Sequence, residues 1–159
     1  MCACVAVHLP ILALGHSLPS SNPFLTKNKM TSSAVPSSIF ISLARMHHIS
    51  NPSKFRRLKR FAAQSCVSGF VKTGKPGILV FDGPQSSIKE FLEHARGLRY
   101  LDFHHVDTKP LNGGPTTTRL ADGRVGLEEV KDTSELLRKL DGVGEREWFR
   151  RQIGMQKGD

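Results

Sequence analysis

The chain has 159 residues, with 23 Lys and Arg against 14 Asp and Glu, a net charge of +9 and only three cysteines. That length suits one domain, and three cysteines exclude both a disulfide framework and a four-cysteine zinc site, leaving a reducing compartment as the default. The charge is uneven: residues 1–44 hold two of the cations, 45–75 eight and 76–159 thirteen, while all fourteen acids lie at or after Asp82. The middle block therefore carries most of the net charge, a footprint suited to a polyanion.

Residues 1–44 are rich in Ser, Pro and small apolar residues without a sustained period, and read as a disordered or targeting-like leader before a domain at 45–159. The apolar run Val5 to Leu14 is too short to span a bilayer, is broken by His8 and Pro10, and lacks the basic start of a secretory signal. No membrane association is expected. Nucleus or cytoplasm is the expected location, with organellar transit as the alternative, although no Arg precedes Arg45.

Asn51-Pro52 opens a helix, Asn as cap and Pro at the first position. Phe55, Leu58, Phe61 and Ala62 then gather on one side at helical spacing; Arg56, Arg57 and Arg60 project from the other, with Lys54 and Lys59 on the flanks. Such guanidinium forks suit phosphate oxygens. The helix ends near Cys66. Gly69 to Lys75 fits G-x-x-x-x-G-K, but Pro76 stands where a magnesium-binding Ser or Thr is needed and a strand follows where a helix belongs. Gly74-Lys75-Pro76-Gly77 is instead a tight turn feeding the strand Ile78–Phe81, with Lys75 free to reach a phosphate.

Ile88, Phe91, Leu92, Ala95 and Leu98 predict a helix covering that strand, and Tyr100 to Val106 a second strand. Residues 107–124 read as a long loop ending in a turn at Asp122-Gly123. Val125 to Val130 is the third strand. Asp132 with Glu135 caps a helix through Leu136, Leu137 and Leu140 that stops at Gly142, and Trp148, Phe149 and Ile153 are the packing side of a last short helix. This order predicts an α+β fold, a ferredoxin-like sandwich with an added basic helix, in which a fourth strand is not obvious. His47-His48 and His104-His105 are adjacent pairs with no Cys or acidic cluster to complete a ligand set, so packing is their default role and no metal or other cofactor is expected.

His47-His48-Ile49, the basic helix, Val67-Ser68-Gly69-Phe70, Gly74-Lys75-Pro76-Gly77-Ile78 and Asp82-Gly83 together resemble one family. It is the carboxy-terminal domain shared by the spliceosomal pre-mRNA processing factor three proteins and RWD-domain-containing protein 2. The resemblance covers about residues 45–153, and Leu127-Glu128-Glu129-Val130 is similar to that family's Phe-Glu-Glu-Val segment. It implies a ferredoxin-like, non-enzymatic domain that binds small nuclear RNA, a duplex with an overhang. The expected RNA-binding residues are Lys54, Arg56, Arg57, Lys59, Arg60 and Lys75. The alternative is a protein-interaction module of the RWD-containing type, with contacts through the sheet or the helix around Trp148. The oligomeric state is left open.

Overall fold

A computed structural model of the chain describes residues 38–111 and 118–155. Cys2, Cys4, most of the expected leader and the Asn112-Gly113-Gly114-Pro115 stretch lie outside the described residues. Five strands and four helices follow in the order β1 (Ile39–Met46), α1 (Pro52–Gln64), β2 (Ser68–Lys72), β3 (Gly77–Pro84), α2 (Gln85–Gly97), β4 (His104–Pro110), β5 (Gly126–Val130), α3 (Thr133–Asp141) and α4 (Arg146–Gln152). The sheet order is β4-β1-β3-β2-β5. The first four strands pair antiparallel, and β5 adds parallel to β2. The β1-α1-β2-β3-α2-β4 course is ferredoxin-like, the fold class the sequence predicts, but the basic helix α1 is its first helix rather than an addition to it, and one strand and two helices extend it.

Three corrections concern strands. The leader boundary expected at 44/45 falls inside β1, and β2 forms where the sequence reading has only the approach to a turn. Both are central strands buried on both faces, so neither shows the apolar-polar alternation that marks a half-exposed strand. Residues 41–44 are all buried, Ser42 among them, and every residue of β2 is buried. The third shift is at the predicted strand Tyr100 to Val106, since β4 begins only at His104. Tyr100 packs into the core at 8% exposure, so of Tyr100 and His104 only the histidine is open to solvent.

Each sheet face has its own core. On one, Leu58 and Ala62 of α1 and Ile88, Phe91, Leu92 and Ala95 of α2 cover Ala44, Val71, Leu79 and Phe81. On the other, Leu136 and Leu140 of α3 and Trp148 and Phe149 of α4 cover Ile41, Leu43, Phe70 and Val80. The caps form as expected. Asn51 Oδ1 accepts from Lys54 N at 3.0 Å and Asp132 Oδ1 from Glu135 N at 2.8 Å, while Glu135 Oε2 accepts from Lys131 N at 2.8 Å, one residue before the cap. Among the described residues, no helix is long and apolar enough to cross a membrane.

Candidate functional site: a cationic cleft at one end of the sheet

Three connections meet beyond one end of the central strands. The β2–β3 hairpin turns through Gly74, whose φ of 82° lies where glycine is at no disadvantage, and through the cis Lys75-Pro76 peptide. Lys72, only 9% exposed, folds its ammonium back onto this turn and donates to Pro76 O at 2.9 Å and Thr73 O at 3.3 Å. The chain leaving β1 is tied to the turn by reciprocal 3.0 Å hydrogen bonds between Ile49 and Gly74, and to the α2–β4 loop by His47 N donating to Leu101 O at 2.9 Å. At Gly77 the backbone passes so close to β1 that a Cβ would sit 2.5 Å from Ile49 Cγ1 and 2.9 Å from Met46 Cγ. The walls are therefore held backbone to backbone.

Between them lies an open cleft of about 530 Å³. From β1 come Arg45, Met46 and His47, from the hairpin Lys75 and Pro76, and from the α2–β4 loop Asp102, Phe103 and His104. Arg45 and His104 are direct partners in the β1–β4 ladder, so their side chains leave the sheet on the same face. Arg99 and Asp102, at φ of 52° and 53°, give the loop its left-handed bends. His47 and His48 meet through their Nδ1 atoms at 2.9 Å, where one ring must donate and the other accept. Among the described residues, neither Arg45 nor Lys75 has an acidic partner within ion-pair distance.

Of the expected phosphate-binding residues, only one belongs to this cleft. Lys75 lines the cleft, and none of the α1 cations does. Lys54 donates to Arg99 O at 3.0 Å, Arg56 to Ser53 Oγ at 3.3 Å, Arg57 lies over the Phe61 ring, and Lys59 sits 4.0 Å from Glu129 and over Phe55. Arg60 is exposed on the outer face of α1. Sequence reasoning missed Arg45, His47, Asp102 and Phe103 as one group. The register of a β1 that was itself unseen is what brings Arg45 beside His104.

Two buried polar groups lie elsewhere. Asp82, fully buried, accepts from Arg119 Nη2 at 2.8 Å and from Leu120 N at 2.7 Å, which fixes the 3₁₀ turn Leu120–Gly123 onto the sheet. Burial pushes the Asp82 carboxyl above its ordinary value, against the pull of Arg119 and Leu120. Ser42 Oγ, His105 Nε2 and Thr108 Oγ1 form a triangle with sides of 3.2, 2.8 and 2.7 Å. A Ser–His pair is the start of a nucleophilic site, but Ser42 is 0% exposed and no substrate can reach it. Burial and the nearby Arg96 hold the His105 pKa below its ordinary value, more than Asp107 raises it. Among the described residues, no group of three or more His, Cys, Asp or Glu is placed to hold a metal ion.

No protein-family profile matches the chain. Among solved structures it is similar to the BLUF domain of BlrP1, with a TM-score of 0.51, 9% identity, and coverage of 74% of this chain and 86% of that one. It is also similar to the BLUF protein BlrB in its dark state, with a TM-score of 0.49, 17% identity, and coverage of 75% and 97%. At these identities the likeness establishes the fold, α+β and ferredoxin-like. It also corrects the family reading. These solved structures are BLUF photoreceptor domains and not a splicing-factor domain, so neither the small-nuclear-RNA role nor the RWD-type interaction role is supported.

Proposed function

We propose that this domain is a non-enzymatic sensory module whose input is a small molecule held in the cleft at the sheet end. The observation that carries the reading is the convergence of Arg45, Lys75 and His104 on one backbone-pinned depression of about 530 Å³, a volume within the usual range for small-molecule sites. The architectural likeness to the BLUF domain of BlrP1 supports a sensory rather than a catalytic role, as does the seal over the Ser42–His105 pair. Amide-resolved NMR titration with a panel of mononucleotides, sugar phosphates and dicarboxylates tests it. The reading expects saturable shifts confined to residues 45–48, 74–77 and 102–104; a panel with no saturable shifts there would overturn it.

A narrower form of the reading, carried by the same likeness, makes the input blue light. A visible response needs a chromophore, because the single Trp and single Tyr absorb only in the ultraviolet. The seam between α1 and α2 does not fit one: Phe61 and His94 stack there at 4.8 Å, over Leu58, Ala62, Phe91 and Ala95 buried beneath them. The absorption spectrum of protein purified in the dark decides the matter. A blue absorption band that shifts reversibly on illumination supports the light-sensing form, and a colourless protein unchanged by illumination removes it and leaves the ligand-sensing form standing.

A further inference from the structure

The cleft also carries information about what it takes, an inference that rests on the sensory reading above. We infer that its ligand is a small organic monophosphate with a flat apolar or aromatic moiety, the phosphate held by Arg45 and Lys75 and the flat group laid against Pro76 and Phe103. Three features argue for an anion. Arg45 comes from β1 and Lys75 from the β2–β3 turn, and neither has an acidic partner among the described residues. His104 stands beside Arg45 on the same face and adds an imidazole that can donate. The single carboxylate on the lining, Asp102, leaves the cations in excess and is placed to accept from a ligand hydroxyl or amine.

Arg offers a planar fork for two phosphate oxygens and Lys a point charge, a pairing that suits a tetrahedral dianion better than a lone carboxylate. The flat moiety follows from the rest of the wall. Phe103 is half-buried and Pro76 exposed, both within the lining, so a ring laid on them removes apolar surface from water that the protein itself leaves open. Inorganic phosphate alone would leave that surface uncovered.

Calorimetric titration with AMP, adenosine, inorganic phosphate and succinate separates the elements. AMP should bind more tightly than either fragment, adenosine weaker by on the order of a hundredfold for want of two charge-assisted contacts. Arg45→Gln and Lys75→Gln should each weaken AMP about tenfold with unchanged thermal midpoints, while Arg60→Gln, on the outer face of α1, leaves it unaltered. Adenosine binding as tightly as AMP, or succinate binding the cleft where no phosphate does, would overturn the monophosphate assignment and keep the sensory reading. An Arg60→Gln loss equal to that of Lys75→Gln would reduce the effect to general charge attraction and overturn the assignment as well.

Discussion

Replacing Asp82 by Ala removes two acceptors from the middle of the fold at once. Asp82 lies opposite Ser68 in the β2–β3 ladder, and its carboxylate is the partner of the buried Leu120 N–H at 2.7 Å and of Arg119 at 2.8 Å. Leaving the amide without a partner costs about 1–3 kcal/mol, and the lost charge-assisted bond to a guanidinium that is only 29% exposed costs a further ~1.5–3 kcal/mol. Part of this returns, because the carboxylate no longer has to be stripped of water, and that burial is the leading cause of its raised pKa. A net loss of about 2–4 kcal/mol follows, a large share of the ~5–15 kcal/mol that holds a domain together. Asp82→Asn keeps an acceptor for Leu120 N and should cost about half as much.

Urea unfolding followed by the fluorescence of Trp148, the only tryptophan and 4% exposed, reads both variants on one probe. The pH dependence gives a second check. A carboxyl whose folded pKa is raised binds its proton more tightly in the folded state, so its contribution is present below the unfolded value near 3.8 and falls as pH rises through the folded value. The advantage of wild type over Asp82→Asn should therefore shrink as pH increases from about 4. An Asp82→Ala loss below about 0.5 kcal/mol, or an Asn variant as damaged as the Ala variant, would refute the anchoring role of this carboxylate.

Gly69→Ala should cost about 3 kcal/mol or more, because its Cβ would press on Val80 O and lie 2.6 Å from Phe81 Cα, backbone atoms that cannot swing aside; the urea midpoint checks it. The His105 pKa is depressed in the folded state, so its contribution to stability is present above the unfolded value and lost as pH falls through the folded one. Ser42 and Thr108 bond this ring, and Asp107, Arg96 and His104 act on it electrostatically; acidification below about pH 6.5 should destabilise wild type more steeply than His105→Gln, read as thermal midpoints across pH. Asn51→Ala and Asp132→Ala should each cost ~1 kcal/mol by loss of a helix cap, and the double variant should show their sum in urea unfolding, since the caps share no partner.

How much of this was legible depended on whether a residue's environment leaves a trace in local pattern. Helix α2 was plain, because Ile88, Phe91, Leu92 and Ala95 keep a helical period and all four are buried. The two helix caps were plain for a similar reason, since Asn51-Pro52 and Asp132 with Glu135 act within one turn. Strand β1 was not legible. It is covered by helices on both faces, so Ser42 and Ala44 look no different from the Ser-rich and Ala-rich residues before them, and only pairing with β3 and β4 makes them a strand. The cleft was illegible for the same reason, because its three walls come from positions near 46, 76 and 103 that only that pairing brings together. Lys75 was singled out as a phosphate contact from its turn, and the structure gives it Arg45 rather than the α1 arginines as neighbour in the lining.

The concentration of charge in residues 45–75 thus resolves into two populations that do different work. On α1, four of the five cations have local attachments: Lys54 to a carbonyl, Lys59 near Glu129 and over Phe55, Arg57 over Phe61, Arg56 to Ser53. Contacts of this kind at a surface are worth little individually and serve mainly to lay long aliphatic stems over apolar rings. Arg45 and Lys75 have no such attachment among the described residues, and they stand on or beside segments tied together backbone to backbone. An uncompensated cation on a mobile loop would spread its field over solvent. Two of them carried on backbone-pinned segments around one cleft present their charges to the same space, which an anion can enter. On the ligand-sensing reading proposed above, the recognition surface therefore lies at the end of the sheet, where two cations without acidic partners share one lining, and not along the basic helix, where four of five are engaged locally.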